Sequence, residues 1–430
     1  MTTTVGPGRP GTGTRGPTRP RSGGTAGSTA SRVIPFPRRR TEARPNPGGG
    51  GGGGEAPRRK RRFRAPIGQP TGVFLATFGL VMLLLAVGLT MVLSASSFKG
   101  LQEYGSSWYH VRRQAMWAGI GVVAMLFTAR IDYHRLRRWA VPGLLATFVL
   151  LGLVFVPGIG INVNGASRWV GYGPFRLQPG EVAKFTLLLF VADLLARRAH
   201  RMRDTHLTIR PVMVVFGVTA VLLMAQPDLG TTIVIGVIIA VVLFVAGAPL
   251  GRLAAIGGLG VVGALVLALA APYRRNRLLS FVDPWEDPLE TGYQTIQSWV
   301  AIASGGVTGV GIGAGRSKWN YLPEAHTDFI FAIIAEEFGL LGSAVVVALF
   351  IVLAILGVRI AVRAPDPFGT LLAAGITTWL LVQAFVNIGA VVGLLPITGL
   401  PLPFVSFGGT SLVVNLAATG VLLNVARQVS

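Results

Sequence analysis

From residue 72 onward, long apolar runs alternate with short polar breaks rich in Arg, Gly and Pro. Ten such runs lie near 72–95, 114–129, 139–156, 181–196, 211–226, 231–248, 252–272, 329–358, 369–392 and 405–425. A helix needs about 20 predominantly apolar residues to cross the hydrocarbon core of a bilayer. The pattern predicts an all-α polytopic membrane protein of ten transmembrane helices, residues 71–430. The longest break, about 273–327, becomes a large loop on one face. A second break, 395–411, holds three prolines and a Gly pair. It is expected to be a re-entrant or capping segment, which a membrane tolerates only where the backbone is buried in protein or lines a cavity.

Composition agrees and excludes a soluble enzyme: 51% of residues are hydrophobic, mean hydropathy is +0.60 and only 13% are charged. The charges orient the spans, because Lys and Arg concentrate in cytoplasmic loops. Arg58 to Arg64, Arg130 to Arg138, Arg197 to Arg210, Arg252, Arg359, Arg363 and Arg427 fall on one side. The other side, which holds 273–327, carries fewer. Both termini are therefore expected in the cytoplasm, with the large loop outside. Residues 1–70 differ from the rest: seven consecutive glycines at 48–54, and 15 basic against 2 acidic residues. Such a segment cannot bury enough apolar surface to offset its chain entropy and is expected to be a disordered tail. It either tethers to anionic lipid or an acidic partner, or is a solvated flank that enforces topology. No fold accompanies it that would bind nucleic acid. The chain has no cysteine, so thiol nucleophiles and zinc thiolates are excluded.

Candidate chemistry concentrates where 273–327 meets the eighth run, in Tyr321-Leu322-Pro323-Glu324-Ala325-His326-Thr327-Asp328-Phe329-Ile330-Phe331. Ionisable groups at a membrane boundary are expensive, which makes them functional candidates. A partly desolvated Asp328 can serve as a general base. The alternative is that Thr327 or Asp328 only caps the helix that follows. Glu324 and His326 are of ligand type, but their spacing matches no strong metal motif. Glu336 and Glu337 lie about 12 Å further along such a helix, and one is expected to pair with a basic neighbour. Arg168, Lys184 and Lys318 are outward-side cations suited to an anionic ligand, Arg by bidentate contact and Lys as a point charge. Lys184 could instead pair with Glu181, three residues away on the same helix face. The alternating glycines 309, 311, 313 and 315 suggest a flexible approach to the site.

Several motifs together resemble the SEDS family of membrane glycosyltransferases. They are Asn164 to Trp169, Gln178-Pro179 with Glu181 and Lys184, Gln226 to Thr231, Pro284-Trp285-Glu286-Asp287-Pro288, the 321–331 motif with Glu336-Glu337, and Leu402 to Ser411. The order of these motifs over about 72–425 is the specific feature. The 284–288 run, the spelling at 322–328 and the basic tail resemble division-type members more than elongation-type ones. Gly180 departs from the pattern, which usually has a small polar residue there.

The resemblance implies a peptidoglycan glycosyltransferase that polymerises lipid II at the outer face of the cytoplasmic membrane during septal wall synthesis. Asp328 would be catalytic, taking the proton from the acceptor sugar's 4-hydroxyl. Arg168 and Lys184, with Lys318 nearby and Mg2+ or Mn2+ as the candidate ion, would offset charge on the undecaprenyl-pyrophosphate leaving group. Glu324 and His326 would shape the loop or orient Asp328. No organic cofactor is implied. The implied partners are a class B penicillin-binding protein transpeptidase, other divisome proteins and membrane lipids. The rival readings are a lipid II flippase with a path past Lys184 and Asp193, an elongation-type polymerase, and a scaffold without chemistry.

Overall fold

A computed structural model describes residues 70–430 apart from 164–165, 173–174, 203, 271, 320 and 430. The basic tail expected over 1–70 thus lies, but for its last residue, outside the described residues, as do Asn164 and Gly165.

Each of the ten apolar runs is a helix: α1 Gly72–Tyr104, α2 Tyr109–Arg130, α3 Ala140–Leu153, α4 Pro179–Arg197, α5 Ile209–Ala225, α6 Leu229–Val245, α7 Leu250–Ala270, α10 Ile330–Arg363, α11 Pro367–Val391 and α12 Gly409–Arg427. Two more helices, α8 Pro272–Val282 and α9 Tyr293–Gly305, occupy the large loop. Among the described residues six helical segments are long and apolar enough to cross a membrane: α1, Tyr133–Leu153, Leu250–Leu267, α10, α11 and α12. α5 and α6 are apolar but shorter. α2 and α4 are diluted by polar residues on their buried faces, His110 and Gln114 in one, Glu181, Lys184 and Asp193 in the other.

One small element stands beside the helices. Residues 160–177 form an antiparallel sheet, β1 Gly160–Val163, β2 Ala166–Tyr172 and β3 Phe175–Leu177, in the order β1-β2-β3. These strands are too short to stand out beside the apolar runs. They carry the stretch that resembles the family motif, and they place Arg168 on a paired strand rather than a free loop.

Tight contacts through small residues hold the helices together, as expected where lipid gives no hydrophobic drive between them. Gly121 of α2 abuts Leu416 of α12, and Gly420 of α12 abuts Met125 and Thr128 of α2. Thr128 donates its hydroxyl to the Ala417 carbonyl at 2.9 Å. The apolar window of α7 is unburied, and among the described residues this helix packs chiefly against its neighbours α6 and α8. At the end of α4 distant from Glu181, Asp193 accepts from Arg137 Nε (2.7 Å) and Arg197 Nε (2.9 Å).

The 392–408 segment has no regular structure, yet Leu400, Leu402, Phe404, Val405 and Ser406 are buried. Its backbone polar groups need partners there, and amide side chains supply them. Gln114 of α2 donates to the Ser406 carbonyl (3.0 Å) and accepts from Gly408 N (3.3 Å). From α11, Gln383 donates to Pro401 O (2.9 Å) and Asn387 to Leu400 O (2.8 Å). The segment is the buried cap expected from its prolines.

α10 is broken at Gly339, whose φ of 67° and ψ of −162° leave the helix. The break frees the Glu336 and Glu337 carbonyls, which accept from Val310 N and Gly311 N at 3.0 Å each. The chain after α9 is thereby laid against α10. A side chain at Gly309 (φ 83°) would collide with the Glu337 carbonyl, and one at Gly315 with the Glu336 carboxylate. Gly309 and Gly315 permit close approach to α10, whereas Gly311 and Gly313 are exposed, with nothing nearer than 4.0 Å to a Cβ at either.

Candidate active site

The turn before α10 is built by Glu324. Its φ of 54° is left-handed, and its carbonyl accepts from Thr327 N (3.1 Å) and Phe329 N (3.3 Å). The Thr327 hydroxyl returns to Glu324, 2.9 Å from Oε2. The residue that caps α10 is Phe329, with no side-chain cap. Neither Thr327 nor Asp328 is therefore spent on capping, and the Asp328 carboxylate faces a cleft. Phe329, Asn387, Ala390, Ile397 and Gly399 are among the residues lining it. Asn387 donates to the Asp328 carbonyl at 2.8 Å and so fixes the turn to α11. Gly399 (φ 73°) passes so close that a Cβ there would lie 3.6 Å from Asp328 Oδ2.

Burial, helped by the negative charge of Glu324, pushes the Asp328 carboxyl up to about 6; Arg277 and Arg168 pull the other way. A carboxylate with that affinity for a proton is ionised at neutral pH and still basic enough to accept one in a transition state. Arg168 comes from β2. Its Nε donates to Gln226 O at 3.2 Å and its guanidinium also reaches Pro227 O. Carbonyls orient a guanidinium without neutralising it. The hinge they belong to is held by Gln226 Nε2 on Leu151 O (2.9 Å) and by Asp228, which caps α6 through Thr231 N (3.1 Å). Arg277 comes from α8 and donates to Ile397 O at 3.3 Å.

The remaining candidates lie elsewhere. Lys184 is 1% exposed, with Nζ 2.8 Å from Glu181 Oε1 and 2.6 Å from Gln383 Oε1. That is the helix-face pair, buried, in place of an open anion-binding cation. Lys318, 6% exposed, is enclosed by Glu337 Oε1 (2.9 Å), Ser94 Oγ (3.0 Å) and Gly313 O (2.7 Å). Glu337 has the basic partner expected for one of the two glutamates, while Glu336 accepts from Arg316 N at 2.8 Å. His326 is 5% exposed and packs against the rings of His110 (4.9 Å between centroids) and Phe407 (5.5 Å). Burial, with the nearby His110 and Lys99, lowers its imidazole to about 3, so it is neutral. Its carbonyl accepts from Phe407 N at 2.9 Å, tying the motif to the 392–408 segment. Of the substrate-binding candidates, Arg168 and Glu324 gather at Asp328; Lys184, Lys318 and His326 are taken up in packing.

No three His, Asp or Glu residues converge among the described residues, and His326 turns from Asp328 toward aromatic rings. Residues that the sequence did not single out are Arg277 and the amides Gln114, Gln383 and Asn387. Amides inside apolar runs were the available signal, because polar side chains at membrane depth have a reason to be there.

A polytopic helical membrane protein with a carboxylate raised by burial, in a cleft lined by a buried non-helical segment, defines the class. The chain belongs to the Cell cycle protein family of FtsW, RodA and SpoVE, which matches residues 75–430. It is 44% identical over 356 residues to a probable peptidoglycan glycosyltransferase FtsW of Geobacter metallireducens, covering 82% of this chain and 95% of the relative. Among solved structures, it matches a chain from work on the coordination of polymerization and crosslinking by a peptidoglycan synthase complex. The TM-score is 0.67 at 30% identity, over 82% of this chain and 97% of the other. It also matches the rod shape determining protein RodA of Thermus thermophilus, with TM-score 0.61 at 30% identity over 82% and 96%.

Proposed function

We propose that this chain is a peptidoglycan glycosyltransferase that polymerises lipid II, with Asp328 as general base. The observation that carries the reading is the cleft at Asp328, where burial raises the carboxyl to about 6 against the opposing charges of Arg277 and Arg168. The acceptor sugar's 4-hydroxyl gives its proton to Asp328 as its oxygen bonds to the donor's anomeric carbon. The bond from that carbon to the pyrophosphate oxygen breaks with inversion, and the electron pair leaves on undecaprenyl pyrophosphate. Arg168 offsets the charge that develops there. Glu324 helps keep the Asp328 proton affinity high, and Asn387 holds the Asp328 backbone carbonyl at 2.8 Å.

Division-type septal synthesis is the reading favoured by the 44% identity to an FtsW protein. A class B penicillin-binding protein is the proposed partner, supported by likeness to a chain of a peptidoglycan synthase complex. The proposed orientation puts both termini in the cytoplasm and Asp328 outside, on the distribution of Lys and Arg. The flippase alternative is disfavoured by Lys184 and Asp193, both of which are committed to ion pairs.

The test is polymerisation of labelled lipid II by the purified protein with its cognate transpeptidase, wild type beside Asp328→Asn. Glycan strands from wild type and none from an equally folded variant are expected. Strands from both would place the base elsewhere, and none from an intact, partner-bound wild type would refute the polymerase reading.

A further inference from the structure

The free space at the Asp328 carboxylate is about 10 Å³, what a single water requires. Glycosyl transfer needs more. The acceptor's hydroxyl must lie within hydrogen-bond reach of the base, with its oxygen in line with the donor's anomeric carbon. One wall of the cleft therefore has to move. The walls from α10 and α11, Phe329, Asn387, Ala390 and Val391, are buried in the helical core. The opposite wall, Ile397 to Gly399, belongs to a strap over 392–399 that has no regular structure and is partly or fully exposed throughout. Burial of the chain resumes at Leu400. Left-handed glycines stand at the two ends of the strap, Gly393 at φ 82° and Gly399 at φ 73°, and glycine changes backbone conformation at the least steric cost.

We propose that residues 394–398 are a lid over Asp328, which swings about Gly393 and Gly399 to admit the acceptor sugar. The inference rests on the polymerase reading and deepens it. In the closed position Leu394 N and Leu395 N donate to Gly389 O at 2.7 and 3.0 Å. Ile397 O accepts from Arg277 at 3.3 Å, and Thr398 lies against Gly230 of α6. A second cleft, walled by α8 and α9, lies on the other side of the lid, and Ile397 and Ala390 border both. Lifting Ile397 joins the two spaces, so the site gains the room a pyranose needs without disturbing the helices. Beyond Gly399 the chain stays in place, because Asn387 and Gln383 hold the Leu400 and Pro401 carbonyls at 2.8 and 2.9 Å. Closure over bound sugar then excludes bulk water from the base.

The experiment locks the lid in the full-length chain, whose lack of cysteine makes an introduced pair the one possible disulfide. A Cβ at Gly230 would lie 3.2 Å from that of Thr398, a few tenths under the ~3.5–4.5 Å usual for a disulfide. Gly230→Cys with Thr398→Cys should polymerise lipid II when reduced, lose that activity on oxidation and regain it with dithiothreitol. Gly389→Cys with Leu395→Cys, where the separation is 3.7 Å, locks the lid from α11 and should behave alike. It decides the matter if the first pair is inactive even when reduced. Gly121→Cys with Leu416→Cys, at 3.4 Å, joins α2 to α12 and should be indifferent to oxidation. Each protein is compared with its own reduced form, which removes any folding defect. Undiminished polymerisation by a lock whose disulfide is verified by mass spectrometry would overturn the proposal, as would an equal loss in the α2–α12 control. A further arm needs no turnover: Asp328→Cys should react in the folded protein with a maleimide, which is too large for the closed cleft. Modification only after denaturation would overturn the lid. Failure of wild type to polymerise lipid II would instead strike the underlying function, and the maleimide arm would still read the lid.

Discussion

Replacing Lys184 with Met separates a packing role from a ligand role. Both side chains of the Glu181–Lys184 pair have no solvent exposure. The ammonium also contacts Gln383 Oε1 and sits 5.1 Å from the centre of the Trp379 ring. Removing it strands the Glu181 carboxylate, whose Oε2 already has no hydrogen-bond partner. Breaking a buried pair in this way costs about 3–5 kcal/mol, whereas replacing both members is often close to neutral. Lys184→Met should therefore unfold several degrees below wild type, and Glu181→Gln with Lys184→Met should recover most of the loss. The effect should reach the site, because Gln383 links the pair to the Pro401 carbonyl of the cap. Thermal unfolding followed by tryptophan fluorescence, with polymerisation measured on the same samples, reads both quantities. If Lys184→Met melts with wild type yet makes no glycan, and the double variant is no better, Lys184 meets substrate and the packing argument fails.

Four further outcomes follow from the structure. The Asp328 carboxyl rises to about 6, and a base works only when ionised. Polymerisation should therefore plateau above pH 7, halve near pH 6 and fall about tenfold per unit below that; a flat profile down to pH 5 would contradict it. Because burial raises the folded-state affinity above that of the unfolded chain, ionised Asp328 opposes folding at neutral pH and ceases to do so as pH falls through its unfolded value. Asp328→Asn should accordingly be more stable than wild type at pH 7.5 by about 1–3 kcal/mol, discounted for partial exposure, and unfold at a higher temperature. That advantage should shrink toward pH 4. Asn387→Leu removes the donors to the Asp328 and Leu400 carbonyls and should lower the polymerisation rate more than it raises the KM for lipid II. Gly309→Ala forces a Cβ into the Glu337 carbonyl at a left-handed φ, and should destabilise by about 1–3 kcal/mol, visible as a lowered unfolding temperature.

Ten helices were legible because crossing a bilayer imposes a length and composition that a local window detects. The sheet at 160–177 and helices α8 and α9 were not, since short polar elements at a membrane face carry no such signal. Asp328 stood out because a carboxylate beside Phe329 and Ile330 is conspicuous wherever the chain goes. Which cations accompany it could not be read the same way. Lys318 meets Glu337 across 19 residues and Lys184 meets Gln383 across 199. Arg277 reaches the site only because α8 folds back onto the 392–408 cap.

The amino-acid sequence by itself thus determined the membrane class, the number of apolar runs and the candidate base, properties set by residue type and local spacing. Tertiary structure decided which charges are consumed by partners and which face the cleft. A cation's availability depends on the carboxylate folded beside it, and in a low-dielectric interior that pairing outweighs every local preference.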